Sequence, residues 1–237
     1  MPIVRITYSH QYHRATAHNW GCNMRCRGCS YLLKEPPRPA VTPSLAEVKA
    51  ALASIDGCQA VHFMGGEPTL NKQLPELLRF AKRELGLTTK LGHTNGWNLI
   101  TEDLDGTNVT LKAWDDELHR EYTGLPAQRI RDNFVAAFEA GLDMRASSVL
   151  IPGYIDLDQL EPIVAFIAGL SPEIPFHLMG FIPVPGAPWP RPTEDEMAAA
   201  VALCRRYLTT VGSSHLTPAQ LLDHEARDDR FIVRQVL

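Results

Sequence analysis

The chain has 237 residues, of which 45% are hydrophobic and 21% are charged, as in an ordinary globular protein. Its formal net charge of −4 gives no general attraction to nucleic acid or to an anionic membrane. No apolar stretch approaches the roughly 20 residues of a membrane-spanning helix, and residues 1–5 lack the apolar core of a secretion signal. We therefore expect a cytoplasmic protein with no membrane partner and no specific nucleic-acid partner.

The length suits one α/β domain, so we expect a single domain over residues 1–237, with a core at about 15–210 and a tail at 211–237. The chain contains five cysteines, and three of them are clustered. An odd number with this clustering fits a reducing compartment and a metal centre better than a disulfide scaffold.

The first predicted strand covers residues 17–20 and leads into a loop that holds Cys22, Cys26 and Cys29. The Pro-rich segment 35–39 is predicted to be a stiff, extended linker, because each proline restrains its own backbone and that of the residue before it.

A helix is predicted to begin at Ser44, because Ser44 and Glu47 have the spacing of a capping box. From there, strands and helices alternate along the chain. The predicted strands are 60–63, 88–93, 108–112, 144–151 and 176–182, and the predicted helices that follow are 74–85, 116–122, 129–140, 157–168 and 193–208.

This alternation predicts parallel strand pairing with right-handed crossovers, and hence an α/β fold. Counting the strand at 17–20, the chain has six β/α units, so we expect a partial TIM-like barrel of the (β/α)6 type. In such folds the functional site lies at the carboxyl ends of the strands, where each motif described below falls. In the tail, Leu216, Leu221 and Leu222 predict a short packing helix, and residues 231–233 predict a terminal strand or a hydrophobic latch.

Cys22, Cys26 and Cys29 follow the spacing C-x3-C-x2-C. Three thiolates on one loop can hold three corners of a 4Fe-4S cluster and leave the fourth iron free to bind a small molecule. A structural zinc site is the alternative, but it needs a fourth ligand, and the spacing of the nearest histidine, His18, does not single it out.

A second motif, Gly65-Gly66-Glu67-Pro68, directly follows the apolar strand 60–63. Glycines at the carboxyl end of a strand let the backbone approach a ligand closely, with carbonyl groups free to accept hydrogen bonds from an ammonium group.

Together, the cysteine loop and this glycine motif resemble the signature of the radical S-adenosylmethionine (SAM) enzymes. The resemblance implies a 4Fe-4S cluster at the carboxyl-end face of the strands, with SAM as the second cofactor. In that family, reductive cleavage of SAM gives a 5′-deoxyadenosyl radical that abstracts a hydrogen atom from the substrate. The single domain expected here would then be a radical SAM domain.

Within this superfamily the chain is most similar to the glycyl-radical activating enzymes of the pyruvate formate-lyase type, from the cysteine loop to about Pro183. The resemblance implies that Gly65, Gly66 and Glu67 line the amino group of SAM, that Thr94 lies near the ribose, and that Lys112 reaches the carboxylate. The residues implied to bind the cofactor are Gly65, Gly66, Glu67, Pro68, Thr94, Asn95, Lys112 and Ser147, and no catalytic residue is assigned.

The chain departs from the activating enzymes at several strand ends. His93 and Thr110 stand where those enzymes usually have aspartates, and Ser147 replaces an arginine. Arg145 lies two residues from Ser147 and is therefore predicted on the same strand face. A histidine of the sixth strand is also missing, since this chain has residues 181–183, Phe-Ile-Pro, at that place. These changes predict an altered substrate.

Three functions remain open. The first is an activase that abstracts hydrogen from a glycine of a glycyl-radical enzyme, and the second is a radical SAM enzyme that rearranges or cyclises a small molecule. The third is a non-catalytic iron-sulfur protein. An enzyme of either kind needs an electron donor such as a flavodoxin or ferredoxin. Arg25 and Arg27 either tune the cluster or are solvated, and Trp189 either lines the substrate pocket or packs across the barrel.

Overall fold

The computed structural model describes residues 2–34, 41–223 and 232–237, and a nine-stranded sheet forms the centre of this part of the chain. In chain order its strands are β1 (Ile3–Ser9), β2 (Arg14–Asn19), β3 (Ala60–Met64), β4 (Thr88–Thr94), β5 (Gly106–Thr110), β6 (Asp143–Leu150), β7 (Phe176–Gly180), β8 (Val211–Ser214) and β9 (Arg234–Gln235).

The spatial order of the strands is β8-β7-β6-β5-β4-β3-β2-β1-β9. Strands β2 to β8 are parallel and lie side by side in chain order, whereas β1 pairs antiparallel with both β2 and β9. Sequential parallel order is what right-handed crossovers produce when a sheet begins to close into a barrel. The predicted α/β class and partial barrel are confirmed.

Helices cover one face of this sheet. They are α1 (Tyr31–Lys34), α2 (Leu45–Ala53), α3 (Leu74–Arg79), α4 (Asp116–Thr123), α5 (Gln128–Glu139), α6 (Leu157–Leu170), α7 (Glu194–Arg205) and α8 (Pro218–Leu222). A 3-10 turn at Pro68–Leu70 follows β3, and a π-helical turn at Phe80–Glu84 extends α3. The predicted capping box is present, because Ser44 Oγ accepts a hydrogen bond from the Glu47 amide while the Glu47 carboxylate accepts one from the Ser44 amide.

The count of β/α units differs from the prediction in two ways. A seventh parallel strand, β8, pairs with β7, and the connection between β4 and β5, residues 95–105, contains no helix. Strand β8 is a short run of small residues without apolar alternation, so its sequence carries little strand signal.

The two ends of the chain also hold strands that the sequence did not predict. Strand β1 precedes the barrel strands, and β9 lies later in the tail than the predicted residues 231–233. Ile232 and Val233 are exposed, whereas Val236 and Leu237 pack against the core, so the expected latch is displaced toward the end of the chain. The short tail helix is confirmed as α8. The linker 35–39 and Phe231 lie outside the described residues.

Side-chain alternation divides the sheet into a packed face and a free face. Alternate residues of the strands, such as Phe63, Val109 and Leu178, are buried in cores that they share with residues of α2, α3, α5, α6 and α7. The intervening residues point to the opposite face, which we call the free face. No helix in the described part of the chain is long and apolar enough to cross a membrane.

Candidate active site

The cysteine loop follows β2 and is anchored to the carboxyl end of α4. The Arg25 amide donates to the Thr123 carbonyl at 2.8 Å, and the Arg27 amide donates to the Tyr122 carbonyl at 3.0 Å. The last carbonyls of a helix have no partner within the helix, so the loop satisfies groups that would otherwise need water. The predicted loop is thereby fixed over the edge of the sheet where the parallel strands end.

The three loop thiols lie close enough to influence one another electrostatically. Burial raises the pKa of the Cys26 thiol to about 11, and the positive charge of Lys112 opposes that rise. Burial also raises the pKa of Cys22. The Cys22 and Cys26 thiols therefore stay protonated at neutral pH until a metal displaces the proton. Three cysteines on one loop are a suitable donor set for an iron-sulfur cluster.

The glycines after β3 allow two backbone segments to touch. Gly65 and Gly66 have φ angles of +85° and +50°. A Cβ atom at Gly66 would lie 2.0 Å from the Gly21 carbonyl oxygen, so no side chain fits there. The Glu67 amide donates to that same carbonyl at 2.8 Å, which holds the glycine motif against the start of the cysteine loop.

The Glu67 carboxylate is fully buried and accepts four hydrogen bonds from the protein. Oε1 accepts from the Thr69 amide at 3.0 Å, from Thr69 Oγ1 at 2.7 Å and from Thr94 Oγ1 at 2.8 Å, while Oε2 accepts from the Asn95 amide at 2.6 Å. The carboxylate therefore joins the ends of β3 and β4. Because its carboxylate is occupied by these bonds, Glu67 can contact a ligand only through its backbone.

Asn95 connects β4 to the cysteine loop. Its Nδ2 group donates to Asn23 Oδ1 at 2.8 Å and to Cys22 Sγ at 3.6 Å, and its Oδ1 atom accepts from the Trp97 amide at 3.0 Å. Cys22 Sγ also accepts from the Met24 amide at 3.4 Å. The sulfur thus receives two N–H donors. The sequence motif located Asn95 but gave no indication that it reaches a cysteine.

Lys112 follows β5 and forms no ion pair or hydrogen bond within the described part of the chain. Its charge acts on Cys26, His93 and His119, so the ammonium group lies at the same end of the sheet as the cysteine loop. An unpaired cation beside the proposed cluster site is suited to an anionic ligand group.

The residues that replace the family's charged groups have distinct environments. Thr110 Oγ1 and Ser147 Oγ are 3.0 Å apart, both side chains are buried, and each satisfies the other. His93 Nδ1 lies 3.3 Å from Asn108 Nδ2 on the free face. Arg145 is exposed and, by strand alternation, lies on the same face as Ser147, as expected.

Aromatic residues from the loops after β6 and β7 pack against the cysteine loop. Trp189 stacks on Tyr154 with ring centroids 4.2 Å apart, and the Arg27 guanidinium lies 4.9 Å from the centroid of the Trp189 ring. Arg27 also pairs with Glu121 at 2.6 Å. Arg27 thus packs against Trp189 although its side chain stays partly exposed, whereas Arg25 is an exposed loop residue with no such aromatic contact in the described structure.

Gly28 fits tightly among these aromatic residues. A Cβ atom there would lie 2.7 Å from Phe181 Cε2 and 2.8 Å from the Tyr122 hydroxyl oxygen. The position therefore needs glycine for space, although its φ angle is unremarkable for other residues.

Within the described residues, no three His, Cys, Asp or Glu side chains are arranged closely enough to hold a metal ion. His18, the candidate fourth ligand of a zinc site, lies on β2 with its Nε2 atom 3.2 Å from Thr7 Oγ1. The three loop cysteines fall under the same statement, so the case for them as the donor set comes from their C-x3-C-x2-C spacing on one loop. Three thiolates on a loop suit a cluster with one open iron better than a four-ligand zinc site.

The parallel strand order, with a three-thiol loop at its carboxyl edge, defines an iron-sulfur enzyme on a partial barrel. The family described as the Radical SAM superfamily matches residues 18–167, and the chain belongs to this superfamily. Its members are enzymes that use a 4Fe-4S cluster and SAM.

Two curated relatives have different assigned activities. A protein of Methanocaldococcus jannaschii, named provisionally as a glycyl-radical enzyme activating enzyme, is 26% identical over 213 residues, covering 85% of this chain and 80% of that protein. A protein of Sulfurisphaera tokodaii, named provisionally as a GTP 3′,8-cyclase, is 29% identical over 171 residues, covering 69% of this chain and 54% of that protein.

Among solved structures, Streptococcus suis SuiB bound to S-adenosylmethionine aligns with a TM-score of 0.65 and 20% identity. The alignment covers 83% of this chain and 48% of SuiB. The chain thus spans about half the length of SuiB and of the S. tokodaii protein, and at this identity the likeness to SuiB concerns the fold.

Proposed function

We propose that the chain reductively cleaves SAM and uses the resulting 5′-deoxyadenosyl radical to abstract a hydrogen atom from a substrate. The observation that carries this proposal is the attachment of the three-thiol loop to the glycine motif, through the contact between the Glu67 amide and the Gly21 carbonyl. This contact brings cluster ligands and open backbone groups together at one end of the sheet.

The proposed roles follow from these positions. Cys22, Cys26 and Cys29 hold the cluster, which when bound supplies the electron that splits SAM into methionine and the 5′-deoxyadenosyl radical. Backbone carbonyls of Gly65 and Gly66 accept hydrogen bonds from the ammonium group of SAM, and Lys112 binds its carboxylate.

We propose that four further residues contribute to the SAM site. Thr94 lies at the end of β4, so it approaches the ribose while its hydroxyl group remains bonded to Glu67. Pro68 and Asn95 form part of the SAM-binding surface next to the cysteine loop. Ser147 lines the interior of the barrel beside that surface.

Anaerobic reconstitution with iron, sulfide and dithionite tests this function. The wild-type protein should release 5′-deoxyadenosine from SAM, and Cys26→Ala should abolish that release. Cys58→Ala is the matched control, because Cys58 precedes β3 and bonds to the Ala60 carbonyl at 3.3 Å, so its loss should leave cleavage intact. Wild-type protein that binds a cluster but leaves SAM unchanged would support the non-catalytic alternative.

For the substrate, the first candidate is a glycine of a glycyl-radical enzyme. The named activity of the M. jannaschii relative supports it, since that relative aligns over most of both chains. The test is electron paramagnetic resonance of the reconstituted protein mixed with SAM and a glycyl-radical enzyme from the same genome. A protein-centred glycyl doublet is expected, and its absence with every such partner would count against this candidate.

The second candidate is a small molecule that carries negative charge. Lys90 and Arg145, two cations of the sheet's free face, favour it, because a backbone glycine is neutral and needs no positive charge for its binding. Comparing the metabolites of a deletion strain with those of the parent should reveal an accumulated anionic compound, and an unchanged profile would oppose this candidate.

Radical SAM enzymes need a reductant, and we propose a flavodoxin or a ferredoxin-like protein for this role. An oxygen-sensitive cluster that depends on such a donor also fits the cytoplasm, where the cysteines remain reduced. We propose that residues 1–237 fold as one domain around the single sheet.

A further inference from the structure

The seven parallel strands carry more basic than acidic residues. Strands β2 to β8 contain three Lys or Arg residues, namely Arg14, Lys90 and Arg145, and a single acidic residue, Asp143. The whole chain, by contrast, has a net charge of −4. Positive charge is therefore concentrated on the sheet of an acidic protein.

All of these cations lie on the free face. Each is flanked along its strand by residues buried on the packed face, such as Ala15 beside Arg14, Leu91 beside Lys90 and Ala146 beside Arg145. His62 and His177 follow the same alternation on β3 and β7. The core residues of α2, α3, α5, α6 and α7 pack on the opposite face of the sheet.

The strand register brings the cations to neighbouring places. His62 pairs with Lys90 across β3 and β4, and Asn108 pairs with Arg145 across β5 and β6. Ser147, two residues beyond Arg145, pairs with His177 on β7. The row of Lys90 continues to Gly106 and Asp143, so Arg145 lies one step further along the strands, in a row with Asn108. Cationic and imidazole groups thus occupy neighbouring rows on the free face.

Two histidines of the free face have lowered pKa values, chiefly because they are buried and secondarily because of the nearby positive charges. Burial, reinforced by the charges of Arg14, Lys90 and Arg145, lowers the pKa of His62 to about 3. The His93 ring reaches solvent but is surrounded by the strands, and this burial lowers its pKa to about 4, with Lys112 adding to the effect. Both imidazoles are neutral at pH 7, and they can donate hydrogen bonds without adding charge.

Arg145, unlike Lys90, is a cation of the free face whose charge is not paired with an acidic group. Lys90 donates to the Asp143 carboxylate, whereas Arg145 has neither an ion pair nor a hydrogen bond within the described residues. Asn108, the partner of Arg145 in the ladder, lies four residues before Lys112. At about 3.3 Å per residue, Arg145 and Lys112 lie roughly 13 Å apart along the strand direction.

We propose that Arg145 and its neighbours His62 and His93 form a binding site for the anionic group of a small-molecule substrate. The Arg145 guanidinium donates to the anion, and the two neutral imidazoles donate hydrogen bonds beside it. A substrate held there by its anionic end extends toward Lys112 and the cysteine loop, where hydrogen abstraction takes place.

The anionic group is a phosphate or a carboxylate, since both accept paired hydrogen bonds from a guanidinium group. The inference rests on the second candidate function, because a backbone glycine offers no such group. Binding of the anion itself needs neither SAM nor an electron, so the site can be tested separately from the proposed reaction.

The test is isothermal titration calorimetry of the reconstituted full chain with inorganic phosphate and, separately, with acetate, at constant ionic strength. Arg145→Gln removes the proposed ligand, and Arg205→Gln is the control, since Arg205 is an exposed residue of α7 with no bond in the described structure. His62→Gln is a second variant that keeps a donor but not the imidazole. Circular dichroism checks that each variant is folded.

We expect wild type and Arg205→Gln to bind one of the two anions equally well, and Arg145→Gln to bind it at least tenfold more weakly. Binding of phosphate or of acetate identifies the anion class. No binding of either anion to the wild type, or equal binding by Arg145→Gln, would overturn the site. Cys26→Ala should still bind the anion. If SAM cleavage fails in the wild type while anion binding persists, the proposed reaction is wrong and the anion site stands.

Discussion

Oε2 of Glu67 accepts a hydrogen bond from the backbone amide of Asn95 at 2.6 Å, and this bond ties the end of β3 to the end of β4. The other three donors to the same carboxylate come from Thr69 and Thr94. An acidic residue of the glycine motif therefore serves as a buried connection beneath the candidate SAM site.

Replacing this carboxylate should destabilise the protein. In Glu67→Gln the amide nitrogen would face a backbone N–H donor, so a buried hydrogen bond is lost, and we expect a loss of about 3 kcal/mol in the free energy of unfolding. Urea denaturation of the cluster-free protein measures it. Glu84→Gln on the exposed π-helical turn should stay within about 0.5 kcal/mol of wild type. Equal stability of the two variants would contradict the network.

Gly66→Ala should disrupt the contact between the glycine motif and the cysteine loop. The added Cβ would lie 2.0 Å from the Gly21 carbonyl oxygen at a positive φ, so we expect a loss of more than about 2 kcal/mol together with poor iron incorporation. Gly169→Ala is the matched control in α6, where a Cβ meets no atom within 4 Å. It should raise stability by about 0.5–1 kcal/mol. Thermal unfolding and iron content report both effects.

Asn95→Ala should shift the reduction potential of the cluster to a more negative value. The substitution removes one of the two N–H donors to Cys22 Sγ, and hydrogen bonds to cluster sulfurs stabilise the reduced, more negative state. Redox titration followed by electron paramagnetic resonance measures the potential. Asn98→Ala, in the same connection but bonded to Thr69 at 3.4 Å, is the control and should leave it unchanged. A potential that is the same in both variants would mean that Asn95 acts only on loop geometry.

Lys112→Gln should weaken SAM binding by roughly 10–100-fold, because a hydrogen bond to a charged group contributes about 1.5–3 kcal/mol. Equilibrium binding of SAM to the reconstituted protein measures the change directly. Lys72→Gln, at an exposed position before α3, should bind SAM like the wild type. Unchanged affinity in Lys112→Gln would remove Lys112 from the proposed carboxylate site.

His62 should make the fold sensitive to acid. Its pKa is about 3 in the folded protein and about 6.5 when unfolded, so the unfolded chain binds more protons between these values. Stability should fall as the pH drops from about 7 toward 4, and His62→Gln should lessen that fall. Urea denaturation at pH 7 and pH 5 compares the two, with His10→Gln at an exposed position as the control. An unchanged slope in His62→Gln would contradict the role of this histidine.

Local patterns in the sequence predicted most of the barrel. The Ser44–Glu47 capping box acts within a few residues, so its effect can be read without tertiary information. Strand β1 has seven residues, several of them β-branched, and pairs with the neighbouring β2, so it carried a local strand signal that the prediction did not use. The other two missed strands, β8 and β9, are short, lie at the two edges of the sheet and pair with partners distant in the chain. A strand of this kind becomes stable only when its neighbours are already in place.

By itself, the sequence determined the class of chemistry, because C-x3-C-x2-C and the Gly-Gly motif are local arrangements of donor atoms and flexible backbone. The tertiary structure alone decided what Glu67 and Asn95 do, since their partners Thr94 and Cys22 lie 27 and 73 residues away. It also gathered Arg145, His62 and His93 onto one face. Contacts between distant residues depend on how the strands pair, which local sequence patterns do not specify.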